Sequence, residues 1–191
     1  MKKITMITVL TAIFLSVGIT NDSSAEILNI DKPVMSDDKK WDDQKSKDFM
    51  KDMIWQGMLM VHSSQLVIDE QGIHDDVKEL AMIVLDNHKK ANLLLREIAE
   101  DMNMKLPEEM AAKQDNKIGE LRRMGPYDLS DSYIDMLVKH QNELIKKLDK
   151  AEDMTNNREL EEWIETFLPY FLLHHYKALQ LQDDKAWKAE E

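Results

Sequence analysis

The sequence predicts an all-α protein built as a four-helix bundle, and three observations carry that expectation. Gly and Pro are scarce, at five and four in 191 residues, whereas a β-rich fold with many turns needs more of both. Four segments repeat apolar residues with 4-3 spacing, the period of a helix with one buried face. The breaks between them hold Gly72, Gly125-Pro126 and Thr155-Asn156, which are signals for ending and starting helices. A chain of this length buries enough core to fold without a disulfide or structural metal.

The N-terminus precedes the fold. Lys2 and Lys3, an apolar stretch from Ile4 to Ile19 and the small residues Ser23-Ser24-Ala25 make residues 1–25 a secretory signal peptide, cleaved after Ala25. Thr5, Thr8, Thr11 and Ser16 dilute that stretch, and it falls short of the roughly 20 apolar residues of a spanning helix, so stable membrane insertion is not expected. With no Cys for lipid attachment, the expected product is soluble in a bacterial periplasm. Residues 26–45 read as a polar leader arm, with Pro33 and a Ser36-Asp37-Asp38 cluster, and residues 46–189 as the bundle domain.

The first long helix runs to about Gln71 and the second from His74 or Asp75 to about Met102. A connection over 103–129 contains Leu106-Pro107 and a short helix with Ile118, Leu121 and Met124 inward. Ser130 is the expected cap of the third helix, which ends near Asp153. Thr155 or Asn156 is the expected cap of the fourth, with Glu159 placed for a capping box and an apolar pattern continuing past Leu181. Short, long and short connections in that order describe ferritin-like connectivity.

Composition excludes several functions. The absence of Cys removes disulfides, thiolate metal sites and cysteine nucleophiles. A net charge of −12, or −13 once Lys2, Lys3 and Asp22 leave with the signal, repels phosphate backbones, so nucleic acid is not an expected partner. No phosphate loop and no paired catalytic carboxylates at usable spacing argue for an enzyme.

Histidines carry the functional signal. The second helix repeats as Val77, Ala81, Val84, His88, Ala91, Leu95, Ile98, Met102, and the fourth as Leu160, Ile164, Phe167, Phe171, His174, Ala178, Leu181. The third reads Tyr133, Leu137, His140, Leu144, Leu148, Ala151, while the first (Met50, Ile54, Gly57, Val61, Ser64, Ile68) has no histidine in line. His62 and His74 are expected outside the cluster. At about 1.5 Å per residue, His88, His140 and His174 lie roughly 24, 22 and 28 Å from their helix turns, in the middle of a bundle some 40 Å tall. Buried imidazoles need partners, because an unpaired polar group costs about 1–3 kcal/mol. A transition metal such as Cu, Zn, Ni or Fe would satisfy all three. A core hydrogen-bond network with Tyr133, Asn92 or carbonyls is the alternative.

Di-iron bundles require Glu-x-x-His, and here Leu85, Leu137 and Phe171 stand three residues before the three histidines, which disfavours oxygen chemistry. Met58-Leu59-Met60 and Met102-Asn103-Met104 suggest soft-metal chelation, against core packing as the simpler role for most of the methionines. Alternate residues of a regular helix point about 200° apart, so only Met102 and Met104, at a helix end, escape that objection. Pro169 interrupts the fourth helix five residues before His174, and its bend is expected to help position that ring.

Asp86-Asn87-His88 with Asn92, Leu106-Pro107, Tyr133 seven residues before His140, and Leu168-Pro169 before His174 together resemble a group of exported bacterial proteins. That group is a ferritin-like family of unknown function, often described as outer-membrane or periplasmic, and the resemblance spans about residues 47–181. It implies a bundle fold and export and places the family's motif residues at Asp86, His88, Tyr133, His140, Pro169 and His174. Leu129-Ser130 stand where the family usually has Phe-Asp.

Overall fold

The computed structural model describes residues 41–184, which form four long helices and one short one. These are α1 (Asp43–Asp69), α2 (Asp75–Asp101), α3 (Ala112–Leu121), α4 (Pro126–Met154) and α5 (Arg158–Asp184), with no strand among the described residues. The expected signal peptide, residues 26–40 of the leader arm and the last seven residues lie outside the described range, and the end of that arm belongs to α1.

Local chemistry sets most of the helix ends. The Asp42 carboxylate accepts from the Lys45 amide at 2.8 Å to cap α1. Gly72 takes φ +79° in the turn to α2, a conformation that costs glycine least. Two expected caps move. The third long helix starts at Pro126 rather than at Ser130, because proline suits the first helical position, where no backbone N–H is needed. Ser130 lies inside α4 and donates to the Pro126 carbonyl at 2.8 Å. At α5 it is Asn157 that caps, its Oδ1 accepting from the Leu160 amide at 2.8 Å, while Thr155 Oγ1 accepts from the Asn157 amide.

The hairpins α1–α2 and α4–α5 pack together, with α2 beside α5 and α3 laid against α1. The buried faces divide the core into two apolar clusters. One holds Met50, Ile54, Met58, Ala91, Leu95, Leu144, Leu148, Ile164 and Phe171. The other holds Met60, Val67, Val77, Val84, Tyr133, Leu137 and Ala178. The boundary falls between Val84 and Ala91 on α2, between Leu137 and Leu144 on α4, and between Phe171 and Ala178 on α5. One polar layer occupies it. His88, Gln141 and His174 sit between those limits, all buried.

Pro169 stands on the exposed side of a helix that continues through it, while Phe167, Phe171 and His174 stay buried. A missing solvent-side backbone bond suits a helix that curves around its core.

Gly57 allows α1 and α2 to approach. A Cβ there would collide with the carboxamide of Asn92, so overpacking of about 1–3 kcal/mol opposes a helix-propensity gain of about 1 kcal/mol. Gly57→Ala is expected to destabilise the protein in urea unfolding, and the same change in an Asn92→Ala background to stabilise it by about 1 kcal/mol. Equal effects in both backgrounds would show that the contact is not limiting.

Candidate functional site

The polar layer is assembled by three helices. From α4, the Gln141 carboxamide nitrogen lies 3.1 Å from His88 Nε2 on α2 and 3.4 Å from His174 Nδ1 on α5. Asn87 Nδ2 lies 3.0 Å from His174 Nε2, so both nitrogens of that ring have a carboxamide partner. The two ring centroids are 5.6 Å apart, and Phe171 stacks on His88 at 4.8 Å. His88 is 2% exposed and His174 fully buried.

Proton placement is constrained. A neutral imidazole has one N–H and one lone pair, so His174 cannot accept from both carboxamides. If Gln141 donates to both rings, its own buried carbonyl oxygen is left without a partner. The opposite orientation would strand two N–H donors instead, which is worse, because an under-satisfied carbonyl is the better tolerated of the two. Gln141 therefore donates to both rings, and the Asn87 carboxamide presents its oxygen to the His174 Nε2–H, an exchange of O and N that leaves heavy atoms in place.

No hydrogen bond joins His140 Nε2 to this layer. The residue is half-buried and helps line a surface groove with Lys117, Lys139 and Glu143. Its Nε2 is nevertheless shut from solvent and makes no hydrogen bond. The ring senses Lys147 and Asp52, an ion pair at 2.7 Å between α4 and α1, and lies close enough to His88 to act on it electrostatically. Among the described residues, no group of three His, Cys, Asp or Glu side chains is placed to hold a metal ion.

The place expected for His140 on the central stripe belongs to Gln141. With Leu137 as origin and about 100° per residue, Tyr133, Leu144 and Leu148 point at about −40°, −20° and +20°. Gln141 falls at about +40° and His140 at about −60°. Those directions average about −10°, midway between the two, so the stripe does not choose between them, and attention to histidine alone passes over Gln141. Asn87, next to His88, likewise lies off the apolar stripe of its helix.

The remaining expected residues are spread out. Tyr133 bonds Ser64 of α1 at 2.9 Å, a second buried polar contact, and burial holds its phenol well above the usual range. Asp86 is exposed and pairs with Lys90 at 2.6 Å. Asn92 packs over Gly57. His62 is exposed, and His74 caps α2, its Nδ1 accepting from the Asp76 amide at 3.3 Å.

Residues 33–181 match the model of a family described as a domain of unknown function, DUF4142. The chain belongs to that family. The match runs from ahead of α1 into α5 and so contains the whole polar layer of this DUF4142 protein. No curated protein and no solved structure matches the chain.

Electrostatics keep the rings of this DUF4142 protein neutral. Burial lowers the His174 pKa to about 4. Burial, then His174 and His140, drive His88 well below its usual value. His140 is lowered to about 4 by burial and by Lys147, against an opposing pull from Asp52. Unfolded imidazoles titrate near 6.5, so between about pH 6.5 and 4 the unfolded chain binds more protons. The stability linked to these rings is fully present above about 6.5 and is lost as pH falls toward 4. For His174 the shift corresponds to about 3 kcal/mol. Urea unfolding from pH 7.5 to 4.5 should show stability falling steeply, and His174→Gln should flatten the slope by up to about 1.4 kcal/mol per pH unit, one proton's worth. An unchanged slope would mean that the ring is already protonated in the native core.

Proposed function

We propose that the protein is an exported, non-enzymatic helical bundle of the bacterial envelope whose central histidines form a metal-free hydrogen-bond layer. One observation carries this reading: the Gln141 carboxamide stands between His88 and His174, at the nitrogens a metal would need. The burial of the two rings supports it further, because neither offers an exposed surface on which a substrate could dock. Export rests on the signal-like pattern of residues 1–25, and no described helix is long and apolar enough to cross a membrane.

A metal bound only to the folded state at a hundredfold excess over its Kd would add about 2.7 kcal/mol. The expected result is an unchanged Tm with Zn(II), Cu(II), Ni(II) or Fe(II) at pH 7. A rise abolished by His174→Ala would overturn the metal-free reading.

Gln141→Glu provides the converse test. It sets a carboxylate between two imidazoles, which favours their charged forms and supplies an anionic ligand. The variant is expected to gain a Zn(II)-dependent rise in Tm and to keep more of its stability at pH 5 than its neutral-pH stability would imply. No gain of either kind would show that residue 141 does not face both rings.

A further inference from the structure

The middle of α5 is apolar on more sides than one core covers. Phe167, Phe171 and Ala178 are buried, yet Pro169, Leu172 and Tyr176 on the opposite side are exposed. Four of the eight exposed large hydrophobic side chains among the described residues fall at 170, 172, 173 and 176, with Leu172 47% and Tyr176 60% exposed. Between Glu165 and Lys177 the helix carries no Asp, Glu, Lys or Arg, a stretch of about 18 Å. A helix apolar all round is covered all round. A lipid surface is a poor cover, since a net charge of −12 is repelled by anionic headgroups.

The two ends of the exposed stripe are complementary to each other. At about 100° per residue, Glu165, Pro169, Leu172 and Tyr176 project within about 60° of one another. Glu165 is exposed, and Pro169 has no N–H to give its carbonyl, so residue 165 presents acceptors on both side chain and backbone. At the other end the Tyr176 hydroxyl accepts from Gln180 Nε2 at 3.1 Å, which leaves its own proton to donate outward. Acceptor and donor stand about 16 Å apart along the helix, with apolar residues between them. A second α5 running antiparallel, about a two-fold axis level with Tyr170 and Phe171, brings each Tyr176 to the partner's Glu165 and each Leu172 to the partner's Pro169. Parallel pairing would instead set Glu165 against its own copy, like charge on like charge.

We propose that the outer face of α5 is a self-association surface on which two copies of this chain pair antiparallel through Pro169, Leu172 and Tyr176, with Tyr176 donating to the partner's Glu165. Tyr170, Leu172, Leu173 and Tyr176 offer roughly 350–400 Å² per copy. That is about half of what each side of a standard interface buries, so the dimer is weak and forms with rising concentration. The pairing is independent of the histidine layer and of its metal-free reading.

Sedimentation velocity of the exported chain from about 5 to 500 μM is expected to show monomer giving way to dimer. Leu172→Glu, on an exposed position, should weaken dimerisation by about tenfold or more and leave Tm within about 2 °C. The chain has no Cys, so engineered cross-links report pairing directly. A disulfide needs Cα atoms within about 7 Å. A mixture of Glu165→Cys and Tyr176→Cys under glutathione disulfide should therefore give the mixed dimer, and neither variant alone should cross-link. A wild-type chain monomeric over the whole range, a Leu172→Glu dimer as tight as wild type, self-cross-linking of either single variant, or a mixture without the mixed disulfide would overturn the proposal. So would a monomer that binds phosphatidylcholine vesicles and loses them with Leu172→Glu, which would give the face to lipid.

Discussion

A single carboxamide holds the middle of this bundle together. Gln141 reaches from α4 to a ring on α2 and a ring on α5, and it does so where the apolar core divides into two clusters. Apolar contacts tolerate small rotations of one helix against another, but hydrogen bonds of about 3 Å do not. The layer therefore fixes the relative depth and rotation of three helices in a way that Leu, Ile and Val alone cannot. The Ser64–Tyr133 contact ties the fourth long helix, α1, to α4 within the second cluster.

The same arrangement makes the fold chemically asymmetric with respect to protons. A protonated imidazole has two N–H groups and no lone pair. Between carboxamides arranged for neutral rings, one of those N–H groups would face another donor. Burial is the leading cause of the depressed pKa of His88, His140 and His174 alike, although only two of the three share the layer. His140 reaches a similar value from the α1–α4 side, where the Lys147 charge opposes protonation and the Asp52 charge favours it.

Depth separates the layer from the longest connection. His88 and His174 are buried between helices, whereas the α2–α3 connection borders an open cavity, its path set by a left-handed residue and two side-chain-to-carbonyl bonds.

The helical class, the four long elements and the burial of His88 and His174 were legible in the sequence, because apolar period, scarce Gly and Pro, and turn residues are local properties of the chain. Helix starts are less legible. Ser130 and Thr155 have the chemistry of caps, but Pro126 and Asn157 stand where the chain enters the helix, and several good capping residues in one stretch look alike until the entry path is known. The choice between His140 and Gln141 belongs to tertiary structure. Adjacent residues lie on either flank of the same helical stripe, about 100° apart, and only the rotation of α4 against α2 and α5 decides which of them turns inward.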